Sequence, residues 1–391
     1  MQPFQEDSYR ATFQAEVVAQ QGAWVQLSES YFYPTSGGQP HDTGVLESAA
    51  RQAEVSDVQY RDAQVWHRLR GEPFAVGTSL SGTLDWARRY RHMQRHSAQH
   101  LLSQVFVQLN PVFETRSVSL LGAVCTLDLS GNPQDDDLRH AEVLVNRAGY
   151  ANHMVRAFEI DERDLGSYPL RRPPQVSGRI RLVQMGDFEL SACGGTHLRR
   201  TGEALPIKIT KRERVKGELT RVSFMAGWEA FDDLRTKHES VAKLALEFSA
   251  QPGEVLGRVE ALRLELSATK RVLALSRHRL AQGLAERLRN ESGGQAVVYQ
   301  LPAKDADLLA SLAQLLASYE GTVALLGTVR GDRAQLLFAR HETASGDMQD
   351  TLQVALTRLN GRGGGSAARA QGSGDAFGLA EALSAAAKEL S

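Results

Sequence analysis

The chain has 391 residues, more than one hydrophobic core usually accommodates, so its length predicts two or three domains. Hydrophobic residues make up 42% and charged residues 23%, a balance that is typical of folded globular proteins and excludes long disorder. The formal net charge of −1 excludes a general attraction to nucleic acid, so any RNA contact must come from local basic patches.

The cysteine content and the N-terminus bear on where the protein works. The two cysteines, Cys125 and Cys193, are too few for a disulfide framework, which favours a reducing compartment. The N-terminal residues show no signal peptide, and no apolar run approaches membrane-spanning length. We therefore expect a cytoplasmic protein with no membrane partner.

Residues 1–85 predict a small β-rich domain. Short alternating runs, such as 15–18 and 24–27, are broken by clusters of Gly, Pro and Asp. The same region contains the segment Phe-Tyr-Pro-Thr-Ser-Gly-Gly-Gln-Pro at 32–40. Regular strands are not expected inside that segment.

The Gly-rich loop of this N-terminal domain is a candidate binding element. Gly37 and Gly38 let the backbone approach a ligand closely, and Gln39 offers both a donor and an acceptor. Taken alone, the loop is also consistent with a plain β-turn. Its interpretation depends on the motifs that follow.

Residues 86–228 predict an α+β domain. Residues 86–109 have apolar side chains at helical spacing, so a long helix opens the domain. The elements predicted after it are a strand at 118–129, a helix at 138–149, strands at 154–160 and 180–185, and a hairpin at 207–222. Lys216 and Gly217 suit the tight turn of that hairpin.

Residues 229–292 predict a helical linker. Helical patterns at 231–248 and 255–288 are separated by a break at Pro252 and Gly253. In the second pattern, leucines recur at three- and four-residue steps. This recurrence fits either a helical hairpin or a coiled coil that joins two chains.

Residues 293–391 predict a compact C-terminal α/β domain. β-like and helical runs alternate here, the former at 296–299, 322–328 and 334–339 and the latter at 306–319, 348–359 and 379–390. A Gly-rich loop is predicted at 361–366. This domain is expected to bind tRNA or to form a homodimer together with the linker.

Four residues form a candidate metal site. His96 and His100 stand four residues apart on the predicted helix, so both rings lie on one face and can reach one ion. Such a pair alone is often only packed or solvated. Cys193 and His197 flank Gly-Gly-Thr, whose glycines permit a sharp turn. Three nitrogens and one sulfur suit zinc, although separate structural roles are the alternative.

This zinc site is compatible with more than one chemistry. Four protein ligands usually make a closed structural site, whereas hydrolytic zinc keeps a position for water. Ser97 stands where a His-Glu-x-x-His protease has its glutamate base, so a peptidase is disfavoured. A phosphoesterase is disfavoured because the usual aspartate-rich ligand set is missing.

The three motifs together resemble a known family. The Phe-Tyr-Pro loop with Gly-Gly-Gln, the His-x-x-x-His helix and the Cys-Gly-Gly-Thr-His turn occur in the same order as in alanyl-tRNA synthetase editing domains. The chain is similar to the long form of the freestanding editing proteins often called AlaX. The similarity extends through Thr201-Gly202-Glu203, residues 207–228, the linker and the Gly-rich loop near Gly363.

The resemblance implies an α+β architecture with an N-terminal β-barrel-like domain, a zinc-bearing α+β editing domain, a helical linker and a C-terminal α/β domain of the DHH-associated type. It implies hydrolysis of the ester that joins a mistaken amino acid to the terminal ribose of alanine tRNA. Serine is the chief candidate and glycine the second. The zinc ligands carry over to His96, His100, Cys193 and His197.

Other site residues carry over less completely. The substrate-selecting threonine of the family falls on Ser30, which keeps the hydroxyl and lacks the methyl. Thr35 replaces the glutamate that is common after Phe-Tyr-Pro, so no carboxylate is assigned as general base. We expect zinc to orient or polarise the aminoacyl group, while Gln39 and the backbone N–H groups of Gly37 and Gly38 place the attacking water.

Contact with RNA is expected from two basic clusters and the Gly-rich loop near the C-terminus. These are Arg88, Arg89, Arg91 and Arg95 in the zinc helix, Lys208, Lys211, Arg212, Arg214, Lys216 and Arg221 in the hairpin, and Gly363, Gly364 and Gly365. Such cations can neutralise phosphates and make binding salt-dependent, although a solvated charged face is the plainer interpretation. A zinc-stabilised RNA-binding protein without turnover is therefore the alternative to an editing hydrolase.

Overall fold

The computed structural model shows the fold of residues 1–174, 177–215 and 217–390. The contacts divide the chain into two compact units, residues 1–243 and 244–391. The mixed α and β content agrees with the predicted α+β class. The finer division at 85, 228 and 292 remains a prediction. No helix among the described residues is long and apolar enough to span a membrane.

The first unit begins with a short helix and a closed six-stranded barrel. These elements are α1 (Pro3–Glu6), β1 (Thr12–Gln21), β2 (Trp24–Leu27), β3 (Gly44–Glu47), β4 (Gln52–Arg61), β5 (Gln64–Arg70) and β6 (Ser79–Leu84). The antiparallel barrel has the order β1-β2-β5-β4-β3-β6. Alternate residues point inward, as in β5, where Val65, His67 and Leu69 are buried. The predicted barrel-like arrangement of strands is confirmed.

The rest of the first unit surrounds one long helix. Its elements are α2 (Trp86–Leu109), β7 (Thr115–Ser119), β8 (Cys125–Leu129), α3 (Asp135–Tyr150), β9 (Val155–Asp161), β10 (Arg179–Met185), β11 (Glu189–Ala192), β12 (Ile207–Val215), β13 (Leu219–Ala226) and α4 (Gly227–Glu247), which continues into the second unit. Asp85 caps α2 by accepting a hydrogen bond from the Arg88 N–H. The helix is buried against α3 and two strands of the sheet β12-β13-β8-β7.

The predicted strand at 118–129 is wrong, because the segment forms the two strands β7 and β8. Leu121 and Val124, which made the run look continuous, lie in the connection and are 70% and 52% exposed. The predicted hairpin at 207–222 is confirmed by the pairing of β12 with β13. Lys216 of its turn lies outside the described residues. A second sheet has the strand order β11-β10-β9. Its strand β11 ends at Ala192, directly before Cys193.

The second unit contains a five-stranded sheet. Its elements are α5 (Val255–Ser292), β14 (Val297–Leu301), α6 (Leu309–Ala317), β15 (Val323–Arg330), β16 (Arg333–Arg340), α7 (Met348–Arg358), β17 (Arg362–Gly365), β18 (Arg369–Asp375) and α8 (Leu379–Lys388). The strand order is β14-β15-β16-β18-β17. Helices α7 and α8 contribute to one apolar cluster, and α6 and the end of α5 to another.

Two predictions for this unit need correction. The Gly-rich segment at 361–366 is largely strand β17 and not a loop. A Cβ on Gly363 would lie 2.5 Å from the Cα of Gly372, so its glycine lets β17 run close against β18. The helical hairpin is also wrong, because α5 is one continuous helix. Its buried residues are Val255 and three residues near its C-terminal end, whereas the leucines between them are exposed.

Candidate metal centre

The two predicted pairs of ligands converge on one point. Helix α2 places the rings of His96 and His100 with centroids 5.0 Å apart, and the turn after β11 adds Cys193 and His197. The Sγ atom of Cys193 lies 3.4 Å from Nε2 of His96 and 3.2 Å from Nε2 of His197. All four ligand atoms lie within 4.8 Å of one another, so these side chains could hold a metal ion.

Each histidine ring is oriented by a partner on its outer side. His96 Nδ1 lies 2.8 Å from Oε1 of Gln39, and His197 Nδ1 lies 3.3 Å from Oγ of Ser97. These contacts leave the Nε2 atoms facing the thiol. Hydrogen bonds of this kind fix the ring and its tautomer in metal sites. Ser97 therefore has a supporting position where a protease would have its base.

The outer partner of His100 is a buried carboxylate that the sequence analysis did not identify. Nδ1 of His100 lies 3.3 Å from both Glu189 oxygens and 3.0 Å from the hydroxyl of Ser191. Arg171 also contacts Glu189 at 3.3 Å. The two-residue period of β11 was the available signal, because it puts Glu189, Ser191 and Cys193 on one face.

Neighbouring candidate ligands shift the pKa values of Cys193, His197 and His100. Burial alone would raise the pKa of the Cys193 thiol, but the three neighbouring histidines lower that pKa well below its ordinary value. Burial and His96 lower the pKa of His197 to about 3. Burial opposes the charged form of His100, but Glu189 and Cys193 outweigh it and raise its pKa to about 9. Metals bind the thiolate and neutral imidazoles, so an ion at this centre would have to replace the second proton that Glu189 and Cys193 favour on His100.

The Gly-rich loop of the barrel meets the centre through Gln39. This side chain is fully buried, and its Oε1 also accepts from the backbone N–H of Thr196 at 3.3 Å. Its Nε2 donates to the Thr196 hydroxyl at 2.8 Å. Gln39 therefore joins the two ligand-bearing segments. Because its amide oxygen contacts His96, replacing Gln39 is expected to disturb that candidate ligand as well as any water that Gln39 places.

The two glycines before Gln39 have left-handed backbones. Their φ angles are +55° at Gly37 and +82° at Gly38, which favours glycine at both positions. A Cβ on Gly38 would come 3.1 Å from the carbonyl oxygen of Val118, and Leu120 donates its N–H to the Gly38 carbonyl at 3.1 Å. The loop is thus held against the segment that follows α2.

Ser30 has partners inside the barrel. Its hydroxyl lies 2.7 Å from Nε2 of His67, whose Nδ1 lies 3.2 Å from the carbonyl oxygen of Val25. A carbonyl only accepts, so Nδ1 carries the proton and Nε2 accepts from Ser30. The hydroxyl also accepts from the Phe32 N–H at 3.2 Å. Because the hydroxyl proton of Ser30 is already donated, the hydroxyl can only accept a hydrogen bond from a ligand.

Two of the four arginines in the basic cluster of α2 are buried and do not contribute to the predicted phosphate-binding surface, whereas Arg91 is exposed. Arg89 is fully buried and donates from Nε to Asp42 at 2.9 Å, so its assignment to RNA is wrong. Arg95 is also buried and donates to Glu229 at 2.7 Å. Both charges were read as exposed because the sequence does not show which carboxylates fold against the helix. Arg88 is half-buried.

The hairpin cations mostly have acidic partners. The pairs are Lys208 with Glu142 at 2.7 Å, Lys211 with Glu213 at 2.6 Å, Arg212 with Asp135 at 3.2 Å and Arg221 with Asp128 at 2.7 Å. Much of the positive charge expected there is therefore balanced locally. Gly363, Gly364 and Gly365 belong to the second unit.

Two family models match separate segments of this chain, and curated proteins align with nearly all of it. The family model for the threonyl and alanyl tRNA synthetase second additional domain matches residues 180–223, and that for class II (A) tRNA synthetases matches residues 6–88. Alanine–tRNA ligase of Archaeoglobus fulgidus is 30% identical over 384 residues, covering 94% of this chain and 41% of that protein. The Pyrobaculum neutrophilum enzyme is 30% identical over 395 residues, 97% of this chain and 43% of that protein.

The chain spans less than half the length of these curated relatives. A solved C-Ala domain of Aquifex aeolicus alanyl-tRNA synthetase matches 25% of this chain and 88% of that domain, with 21% identity. Its TM-score of 0.21 is too low to establish a shared fold.

The matched regions and the Cys-Gly-Gly-Thr-His turn define the class as proteins that carry the second additional domain of the tRNA synthetases. Within that class, the chain aligns over 94% and 97% of its length with two alanine–tRNA ligases. The chain is homologous to alanine–tRNA ligases over nearly its whole length, and it resembles the editing and C-terminal domains of those proteins.

Proposed function

We propose that this chain is a zinc-dependent hydrolase of mischarged alanine tRNA. It would cleave the ester of seryl-tRNA(Ala), with glycyl-tRNA(Ala) as a second substrate. The observation that carries the proposal is the cluster of three buried imidazoles and one half-buried thiol, two of whose members lie in the segment that matches the second additional domain. The substrate class comes from the resemblance to alanyl-tRNA synthetase editing domains.

The donor types of the four side chains fit zinc, and two of the distances between them are close to those around a bound ion. Tetrahedral zinc binds nitrogen and sulfur at about 2.0–2.3 Å, which places ligand atoms roughly 3.3–3.6 Å apart. The Cys193 Sγ atom lies at 3.4 and 3.2 Å from two of the imidazole nitrogens. Aspartate-rich sets suit harder ions, whereas sulfur with imidazole suits zinc. When bound, zinc would supply a Lewis acid near the aminoacyl ester.

Three groups of this chain would handle the aminoacyl end. Ser30, with its hydroxyl proton held by His67, offers a lone pair that a serine hydroxyl can satisfy and an alanine methyl cannot. Within the described part of the chain, the N–H groups of Gly37 and Gly38 donate to no protein atom. They are therefore available to hold a water molecule or a developing negative charge.

Other residues of the chain would contact the body of the RNA. Arg88 and the hairpin cations Lys208, Lys211, Arg212 and Arg221 remain candidates for phosphate contacts, and Gly363 to Gly365 remain candidates for close backbone approach. A bound phosphate would have to compete with the carboxylate partners of the hairpin cations. We therefore expect weak, salt-dependent RNA binding from this hairpin.

A homodimer through α5 completes the proposal. Four apolar residues recur every seven positions along this helix, at Val259, Leu266, Leu273 and Leu280. The three leucines are 46% to 64% exposed within one chain. A seven-residue apolar repeat is typical of a helix that pairs with a second helix, so a second copy of this chain is the expected partner.

A zinc-stabilised RNA-binding protein without turnover is the second candidate. It is favoured by the four side chains, which would fill a tetrahedral ion, and by Glu189, whose carboxylate is already engaged by His100 and Arg171. Metal removal separates the two candidates. It should abolish hydrolysis if the protein is an enzyme, and only lower stability if it is not.

The deciding experiment uses three charged tRNAs. The purified protein is incubated with serine-charged and alanine-charged alanine tRNA and with serine-charged serine tRNA, beside Cys193→Ala. We expect fast ester loss from seryl-tRNA(Ala) alone, and none with the variant. Loss at the buffer rate for every substrate would rule out the enzyme and favour the RNA-binding protein.

A further inference from the structure

The turn that carries Cys193 is held from outside by two side chains. Nη1 of Arg181 donates to the carbonyl oxygens of Cys193 at 2.7 Å and Gly195 at 3.0 Å. Nε2 of Gln5 donates to the carbonyl between them, that of Gly194, at 2.9 Å. Three consecutive carbonyl groups of the turn are therefore bound by side-chain donors.

The two donors are also bound to each other and to the turn's main chain. Nη2 of Arg181 donates to the carbonyl oxygen of Gln5 at 3.2 Å. The N–H of Cys193 donates to the carbonyl oxygen of Arg181 at 3.1 Å, which ties the start of the turn to β10. Arg181 thus contacts both the main chain before the thiol and the main chain after it.

The sequence of the turn explains why an outside support is needed. A Cβ on Gly195 would lie 2.1 Å from Cε1 of His96, so only glycine lets the main chain pass this ligand ring. Two successive glycines have wide conformational freedom, and ordering them costs more entropy than ordering other residues. Any support must therefore come from side chains elsewhere in the fold.

Arg181 is unusual because it binds carbonyl groups and no acid. None of the ion pairs among the described residues includes it, and its Nε is buried without a partner. Arg181 is half-buried, and arginines that are withdrawn from solvent are normally paired with carboxylates. A guanidinium is suited to bridging two carbonyl groups, since its donors lie in a rigid plane.

We propose that Arg181 is the positioning residue of the metal centre, holding Cys193 and His197 in the geometry that binds the ion. Gln5 supports it at the central carbonyl of the turn. The inference rests on the zinc site of the proposed function. It does not depend on the reaction, because its readout is metal binding and not ester hydrolysis.

The test measures zinc affinity in competition with a chelator, for the full chain and for Arg181→Met, Arg181→Lys and Gln5→Ala. Loss of a supporting contact of this kind typically weakens metal binding by about 10–100-fold, which is the effect expected for Arg181→Met. Arg181→Lys keeps the positive charge but lacks the planar guanidinium that bridges two carbonyl groups, so it should restore only part of the zinc affinity. Gln5→Ala should have the smallest effect.

Arg179→Met is the matched control. Arg179 lies two residues earlier on β10, is 78% exposed at its side chain and forms a long ion pair with Glu159, at 3.7 Å. Its replacement should leave zinc affinity unchanged. The melting temperature of each zinc-free variant is measured alongside, because a merely structural arginine would lower that temperature without changing affinity in the variants that still fold.

Cobalt provides a second readout. Binding of Co²⁺ to the wild type should give a sulfur-to-metal charge-transfer band, which should weaken or shift in Arg181→Met. Equal affinity and an identical cobalt spectrum for Arg181→Met and wild type would overturn the inference, as would full restoration by Arg181→Lys. If the wild type itself binds no zinc, the metal site of the proposed function fails instead.

Discussion

The amide oxygen of Gln39 lies 2.8 Å from Nδ1 of His96, which joins a loop of the barrel to a ligand of the candidate metal centre. The two residues are 57 positions apart in the chain. The same oxygen accepts the N–H of Thr196, beside the other ligand pair. Three sequence motifs are thereby parts of a single site.

Replacing Gln39 by Ala should lower metal affinity as well as hydrolysis. Without the amide, His96 loses the hydrogen bond that fixes its ring, so we expect zinc binding to weaken by about 10–100-fold. Chelator competition measures this, and Gln64→Ala on the exposed end of β5 is the control. Unchanged affinity with slow hydrolysis would return Gln39 to the role of placing water.

The two cysteines should behave differently on replacement. Cys193→Ser should lose zinc, whereas Cys125→Ser should retain it, because burial raises the pKa of the Cys125 thiol to about 12 and keeps it neutral. Metal content after dialysis is the measurement. Loss of zinc from a folded Cys125→Ser protein would contradict the assignment of ligands.

The buried pair of Arg89 and Asp42 should be important for stability. Either Arg89→Met or Asp42→Asn leaves one group buried without its partner, which should cost about 3–5 kcal/mol of unfolding free energy. The control pair, Arg70 and Glu54, is 72% and 50% exposed and should contribute at most about 1 kcal/mol. Urea unfolding measures both pairs. Equal effects would show that burial does not govern the Arg89 pair.

His67 should make the protein less stable in acid. Burial lowers its folded-state pKa to about 4 from the ordinary 6.5. Between these values the unfolded chain binds a proton that the folded chain does not, so unfolding free energy falls as pH decreases from 6.5 to 4. The full contribution, about 3 kcal/mol, is present above pH 6.5.

The matching variant is His67→Gln, which cannot titrate. It should be less stable than wild type at pH 7, because Ser30 loses its partner, but its stability should decline less between pH 6.5 and 4. Urea unfolding at several pH values gives both curves. Since all other titrating groups are shared, parallel curves would show that His67 is not the cause.

Helix α5 should mediate dimer formation. Leu273→Glu places a charge in the seven-residue apolar repeat and should convert dimers to monomers. Leu264→Glu is the control, because Leu264 is 73% exposed but lies outside that repeat. Sedimentation velocity distinguishes the two states. A monomeric wild type would remove the proposed dimer.

Local patterns allowed much of the fold to be predicted. The alternation of buried residues in the barrel and the pairing of β12 with β13 follow from periodicity and turn residues, which act within a few positions. The predictions of one strand at 118–129 and of a hairpin in α5 were wrong for one shared reason. An apolar run does not reveal whether its side chains meet a core, and Leu121 and most leucines of α5 do not.

The sequence by itself determined the types and local spacing of the four ligands, since helix geometry puts His96 and His100 on one face. Only the tertiary structure decided that Cys193 lies 3.4 Å from His96, a residue 97 positions away, and that Glu189 contacts His100 and Arg181 contacts the main chain of Cys193. It also decided that Arg89 is buried against Asp42. The reason is physical: periodicity is a property of neighbouring residues, whereas burial and the partner of a charge depend on long-range packing.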